Sequence, residues 1–434
     1  MRIEEFIENP IEALIKAERY VNDGSPSGIA NTTSMSTCPK SVAKTFNVIQ
    51  VTFPKEIEVK DVGVIKSGHI QDNSIYIHPD MLDYWLLQTT THFITGELVV
   101  SPTASGRTVL ATNEGFFVKL AYSKQLGRLT RHLGEEKLNS AHEVTQQLVR
   151  AVETGMANPQ FAFLREDYGR VAFLPINDIE RAKNDKVPQT NIDNGKYEMG
   201  CLFRELKPFP YIKETEHLIP FFSLFGHEYS PTTQKRLRKQ GVPLVIQLFE
   251  KQDKPIEEFI TRDLIFPLLH AYFDALLLGG VELEAHAQNM LLTIDSNFKV
   301  KRIVCRDLES AGRDATLMDY LKIQYTHGSG YKYNVLLEKE VDQKYAKWYI
   351  THSFMFDFKL GEYIITPLLA TIKKHFPCFD KAGVIKAIRL YNKQFIDKLP
   401  IGFFPKDWCT YKKVNFEQQG LKREYDWHSR PRYR

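Results

Sequence analysis

The chain has 434 residues, 43% of them apolar and 25% charged, and its 57 Lys and Arg against 53 Asp and Glu leave a net charge of only +4. These proportions exclude a mostly disordered, collagen-like or multi-span membrane chain. A balance so close to neutral also argues against a nucleic-acid binder working through its global field, so an anionic ligand has to be met by a local cluster of cations.

Five cysteines, Cys38, Cys201, Cys305, Cys378 and Cys409, are scattered without CxxC spacing. Their odd number in a long chain points to a reducing compartment and not to a disulfide framework. Residues 1–20 carry early acids and lack the apolar run of a signal peptide. The greasiest stretch, residues 264–278, is broken by Pro267, His270 and Asp274. The expectation is therefore a cytoplasmic protein with no membrane partner.

In chain order, residues 3–20 place apolar side chains at helical spacing around Pro10, and a short helix pair is expected. Residues 22–40 are rich in Ser, Thr, Gly and Asn and read as loop. Strands are expected at 47–53, 61–65 and 74–77, a helix at 83–94, and two strands across 107–121 turning at Asn113-Glu114-Gly115. Residues 123–132 and 140–154 read as helices, and 160–164 with 170–174 as a hairpin. A polar loop over 180–197 precedes a strand at 199–205. Beyond residue 215 the pattern is mainly helical, with a strong helix over 256–278 stopped by Gly279-Gly280. A hairpin at 290–294 and 299–304 turns at Asp295-Ser296-Asn297. The tail after residue 420 is basic and aromatic and reads as a solvated end.

Three places carry chemistry. The run SPTASGRTV, residues 101–109, puts Ser105, Arg107 and Thr108 beside a glycine, leaving hydroxyl, guanidinium and backbone donors for a phosphate. The competing reading is a plain surface turn, and the pattern is not a P-loop. Lys119 sits among apolar neighbours in FFVKLAY, and a buried lysine needs an anionic partner, although an edge-strand lysine pointing to solvent is the bland alternative. Arg131 lies twelve residues further on, on what reads as the following helix.

The sharpest place is GGVELEAHAQNMLL, residues 279–292. Glu284, His286, Gln288 and Asn289 crowd four polar side chains between a greasy helix and an apolar strand. That is costly unless they face a ligand cavity. The hairpin should fold Asp307 back beside Asn289, and an Asn with an Asp suits Mg²⁺ held together with nucleotide phosphates. Helix, HxxN loop, hairpin and Asp is also the layout of kinase-like phosphotransferases. The loop here holds His286 and Gln288 where such enzymes carry a catalytic Asp.

The run 280–289 followed by Arg306-Asp307 resembles the G-[IV]-x-L-E-A-H-x-Q-N…R-D motif of the NRPS-independent siderophore (NIS) synthetases, the IucA/IucC family. Further matches follow in the same order. His78-Pro79 resembles the family's HP segment, with Asp80-Met81 in place of its Trp-Gln, and Ser105-Gly106-Arg107-Thr108 resembles its S-x-R-T. Lys119 and Arg131 fall where its phosphate-binding Lys and Arg fall, and residues 201–205 resemble its strand ending in Arg-Glu. The resemblance covers roughly residues 75–410.

It implies an α+β fold with a β-rich fingers lobe at 76–215 and a mainly helical palm lobe at 216–434 carrying the kinase-like HxQN hairpin. Residues 1–75 replace a much longer thumb region and are expected to pack on the first lobe as added strands and a helix, leaving the cleft open on one side, with the Ser/Thr-rich loop 25–37 at its edge. The activity implied is that of an AMP-forming ligase using ATP and Mg²⁺. It adenylates a small (poly)carboxylic acid and condenses it with an amine or alcohol. In that reading Ser105, Arg107, Thr108, Lys119 and Gln288 bind the nucleotide, and Arg131 and His286 attend the reacting groups, His286 either orienting them or acting as base. Asn289, Asp307 and Glu284 hold the metal. The partners are small molecules and not nucleic acid, with a homodimer left open. A kinase-like, ADP-forming phosphotransferase and a degenerate nucleotide sensor are the alternatives.

Overall fold

The computed structural model describes residues 1–22, 36–63, 70–126, 129–324, 332–333, 352–400, 402–405, 409–417, 420–428 and 431–434. Most of the loop expected to edge the cleft, residues 25–37, lies outside them.

The first strands are β1 (Phe46–Thr52), β2 (Val59–Gly63), β3 (Ser74–Ile77), β4 (Phe93–Pro102), β5 (Thr108–Ala111) and β6 (Phe116–Leu120). A small hairpin, β7 (Tyr122–Leu126) and β8 (Leu129–Arg131), leads to the long helix Glu135–Glu153. Then come β9 (Phe161–Phe163), β10 (Tyr168–Pro175), β11 (Lys196–Glu205) and β12 (His217–Pro220). Eight of these form one antiparallel sheet in the order β2-β10-β11-β6-β5-β4-β1-β3. Their β-branched and aromatic residues bury Val48, Val51, Ile75, Val118 and Val171 in one core.

After β13 (Val281–Glu282), which pairs with residues 312–313, a second sheet of four strands has the order β12-β14-β15-β9, where β14 is Met290–Ile294 and β15 is Val300–Cys305. Helices cover it. Phe266–Gly279, Thr366–His375 and Lys381–Ile396 pack with the sheet into the largest core. Gly280, at φ 62°, ends the first of these in the left-handed conformation that glycine adopts at no steric cost. A third cluster, Leu110, Phe117, Ala162, Leu164, Leu291 and Val304 with Leu14, glues the two sheets face to face.

Several expectations need correction. Residues 123–132, expected to be helical, form the β7–β8 hairpin, so Arg131 ends a strand. β-branched Thr130 and the alternation of the segment fit a ribbon as well as a helix. Residues 160–164 and 170–174 are no hairpin: β9 runs parallel to β15 in the second sheet, while β10 joins the large one. The polar stretch 180–197 contains two short helices, Ile179–Asn184 and Gln189–Asp193. In place of a helix over 83–94 there is one turn, Trp85–Gln88, before β4 begins. β1 and β2 join the large sheet as added strands, but the N-terminal helices do not pack on it with them. Ile3, Phe6, Ala13 and Ala17 are buried with Phe221, Phe222 and Leu244 in the helical core. The tail is not wholly solvated, since Tyr433 is buried.

Candidate nucleotide site

The site lies where the two sheets face each other. On β6, all five residues are buried, and Lys119 is only 3% exposed. Alternation puts Lys119 on the same face as Phe117, which packs between the sheets. The register sets Thr108 of β5 directly beside Lys119, and Arg204 of β11 beside Phe117. One sheet face thus presents Thr108, Lys119 and Arg204 toward the second sheet.

The second sheet answers with carboxylates. The β14–β15 register pairs Met290 with Cys305, and the Arg306 N–H donates to the Asn289 carbonyl at 2.9 Å, so Asn289 and Arg306 stand opposite each other at the open end of the hairpin, with Asp307 one residue further on. Asp307 Oδ1 accepts from Lys119 Nζ and from Arg204, each at 2.6 Å. Lys119 Nζ also lies 2.6 Å from Glu309 Oε1, which Arg107 reaches at 3.3 Å. Burial alone would raise the Asp307 carboxyl pKa, but Lys119 and Arg204 hold it far below the usual carboxylate range. Burial opposes ionisation of Glu309 in the same way, and Lys119, Lys137 and Arg107 outweigh it, pulling it down to about 2.

Asp307 adopts φ 70°, ψ 47°, a left-handed conformation uncommon outside glycine. Glu166, fully buried at the end of the segment after β9, stabilises it. Its carboxylate accepts the N–H groups of Asp307 at 2.8 Å, Leu308 at 2.9 Å and Glu309 at 3.4 Å, and it is paired with Arg204. Arg107, Lys119 and Arg204 therefore face Glu166, Asp307 and Glu309, cation for anion. Two further cations are in surplus. Lys137, in the first turn of the Glu135–Glu153 helix, donates to the His132 carbonyl at 3.1 Å, and burial pushes its ammonium pKa down beside Arg107, Lys119 and Arg131. Arg131 makes no side-chain hydrogen bond or ion pair among the described residues; its own carbonyl accepts from Arg107 at 3.1 Å.

The loop before β5 is closed by Thr103, whose hydroxyl donates to the Thr108 carbonyl at 2.6 Å, and by Gly106 at φ 74°. The hydroxyls of Ser105 and Thr108 make no hydrogen bond among the described residues, which leaves them available to a ligand.

In the 284–289 loop, His286 Nδ1 accepts the Gln288 N–H at 3.2 Å, so a neutral ring carries its proton on Nε2. Burial lowers the His286 pKa to about 4, against the opposing pull of Glu284. Nε2 stands 4.0 Å from Glu284 Oε2. Glu284, expected as a metal ligand with Asn289 and Asp307, is paired with Lys359 at 2.6 Å, and its carbonyl accepts from the Asn289 side chain at 3.1 Å. Among the described residues no group of three or more His, Cys, Asp or Glu could hold a metal ion. A smaller donor set remains. Asn289 Oδ1 and Asp307 Oδ2 are hard oxygens without a hydrogen-bond partner among the described residues, and such a pair fits Mg²⁺, which takes one or two protein ligands and keeps its waters.

Sequence reasoning did not single out Glu166, Glu309, Lys137 or Lys359. Glu309, two residues past Asp307, was open to a local reading; the others are brought in by elements distant in sequence.

No protein-family model and no curated protein sequence matches the chain. Solved structures do. The petrobactin biosynthesis protein AsbB from Bacillus anthracis is 13% identical with a TM-score of 0.61, over 90% of this chain and 68% of that one. ATP-bound aerobactin synthetase IucA from a hypervirulent Klebsiella pneumoniae is 12% identical with a TM-score of 0.60, over 90% and 72%. Aerobactin synthetase IucC from the same pathotype gives 12% and 0.54, over 84% of this chain and 64% of that one. The chain thus shares the fold of these proteins, as the HxQN and S-x-R-T resemblance implied, and spans about two thirds of their length.

Proposed function

We propose that the chain is an ATP-dependent ligase of the siderophore-synthetase kind, activating a small (poly)carboxylic acid as its adenylate and joining it to an amine or alcohol. The observation that carries this reading is the meeting of Lys119 and Arg204 with Asp307 at the end of the HxQN hairpin, in a fold shared with an ATP-bound synthetase.

In this reading a carboxylate oxygen of the acid attacks the α-phosphorus, and the bond to pyrophosphate breaks. The amine or hydroxyl then attacks the acyl carbon, loses its proton, and AMP departs, leaving an amide or ester. Two anions must approach each other, and cations fixed in a site of low dielectric lower that barrier. Lys119, Arg107, Lys137 and Arg131 meet the phosphates, with the free hydroxyls of Ser105 and Thr108. The phosphates and the two surplus cations complete each other's charge. Asn289 and Asp307 would hold Mg²⁺, whose chemistry is to neutralise phosphate charge. Glu284, tied to Lys359, serves better to orient that lysine and His286 than as a ligand.

His286 fits a donor and not a base. Its Nδ1 is occupied by a backbone N–H, and its Nε2–H can donate to a phosphate or acyl oxygen. The test is pyrophosphate release with a panel of di- and tricarboxylic acids and ATP. One AMP per product supports the ligase; stoichiometric ADP without pyrophosphate assigns a phosphotransferase instead.

A further inference from the structure

The Pro10–Tyr20 helix reaches the nucleotide site, although none of the motif residues lies on it. Glu18 is 1% exposed and divides its two oxygens between the two halves of the site. Oε1 accepts from Arg306 at 2.5 Å, and Oε2 accepts the Ala104 N–H at 3.1 Å. Arg306 in turn donates through Nε to the Gln288 carbonyl at 2.8 Å. One carboxylate therefore joins the small-residue loop before β5 to the HxQN loop before β14. Leu14, one helical turn earlier on the same face, lies in the apolar cluster between the sheets, so Glu18 is held at the rim of that seam.

We infer that Glu18 is a positioning residue for the nucleotide: it holds the 103–107 loop and the 286–289 loop at one fixed separation, so that both engage the same phosphate chain. This rests on the ATP reading above. A glutamate can do this because it offers two acceptors to two donors. Glutamine offers one acceptor and one donor, so one of the two contacts must become donor against donor. The next residue supplies a control. Arg19, turned about 100° away round the helix, donates to the carbonyls of Pro39, Ser41, Ala43 and Lys44 and anchors the segment leading into β1.

The experiment measures ATP affinity by calorimetry, steady-state kinetics and backbone hydrogen exchange in the full chain and in Glu18→Gln and Arg19→Lys. For Glu18→Gln the expected result is a loss of ATP affinity and a rise in its KM of about ten-fold. The carboxylate KM and kcat stay within about two-fold, and exchange is faster at residues 104–107 and 286–289. Arg19→Lys lowers the melting temperature and leaves ATP affinity unchanged. If the unaltered chain binds no ATP, the nucleotide reading falls, and this inference with it. If it binds ATP and Glu18→Gln binds equally well, or if Arg19→Lys weakens binding as much, Glu18 has no positioning role and the nucleotide reading stands.

Discussion

Lys119 and Asp307 are 188 residues apart in sequence and 2.6 Å apart in space. One ion pair therefore joins the middle of the large sheet to the end of the β14–β15 hairpin, and Glu309 shares the same ammonium. Lys119→Ala leaves two carboxylates facing each other with Arg107, Arg204 and, through space, Lys137 to neutralise them. Breaking a buried pair by removing one partner typically costs about 3–5 kcal/mol, so the variant should melt lower. If Lys119 meets the phosphates as proposed, ATP affinity should also fall at least about ten-fold. Calorimetry together with thermal melting checks both; unchanged affinity would remove Lys119 from the site.

Glu166 should behave as a support without touching the ligand. Glu166→Ala frees three backbone N–H groups and leaves Arg204 with Asp307 alone, so the left-handed turn at Asp307 loses what holds it. The expected outcome is weaker ATP binding and non-additivity with Arg204→Ala. A double-mutant cycle should return a coupling of about 1 kcal/mol or more, since both act on one carboxylate. Strict additivity would mean that the two residues act separately.

How far the sequence alone reached this site depended on chain distance. Asn289 and Asp307 could be brought together on paper because a hairpin with a clear Asp-Ser-Asn turn lies between them, and local turn chemistry sets register. Lys119 could be seen as unusual because it interrupts an apolar strand. Its partner could not be found that way, since pairing across two sheets leaves no periodic trace. Glu18, Glu166 and Lys137 are ordinary acids and bases on segments whose destinations only packing decides. Arg131 was placed near the phosphates by resemblance while its segment was read as a helix. It comes instead from a ribbon, where short-range propensity is weakest.

A second buried network sets an alkaline limit. His352 lies 2.6 Å from Glu282 and 3.4 Å from Asp314, and all three are fully buried. Burial would lower the His352 pKa, but Glu282 and Asp314 outweigh it and raise it from 6.5 to about 9. A pKa raised by folding means that the folded state holds its proton more tightly. The stabilisation is complete below the unfolded value near 6.5, declines above it and is gone once pH passes about 9. Melting temperature should accordingly fall between pH 6.5 and 9, and His352→Gln should flatten that limb while costing about 3–5 kcal/mol at neutral pH. A variant with the same alkaline limb would place the titration elsewhere.

His286 gives a different pH signature. With its pKa lowered to about 4, it is neutral throughout the working range and has no proton to gain or lose near neutrality. The kcat profile between pH 5.5 and 8 should show no inflection that His286→Gln removes. His286→Gln should also retain more activity than His286→Ala, because an amide N–H can stand in for the Nε2–H donor. If His286→Gln is as inactive as His286→Ala and erases a limb near pH 6.5, the residue is a base after all.

The surplus cations separate function from stability most cleanly. Lys137 faces Arg107, Lys119 and Arg131 and has no carboxylate of its own within hydrogen-bond reach among the described residues; Glu309 attracts it only through space. Its burial lowers its pKa, which means that the folded protein disfavours its charge. Removing that charge relieves the cost of burying it, which outweighs the lost attraction to Glu309 in the ligand-free chain. Lys137→Gln should therefore leave the melting temperature unchanged or raise it by a degree or two without nucleotide. The same substitution removes one of the cations that a triphosphate needs, so ATP should bind about ten-fold more weakly. The extra stability conferred by saturating ATP, which follows affinity by mass action, should shrink correspondingly. Melting curves with and without ATP test both halves on one sample. A lysine that mattered only for the fold would lower the ligand-free melting temperature and leave the ATP-induced shift intact, the reverse of what this arrangement of charges requires.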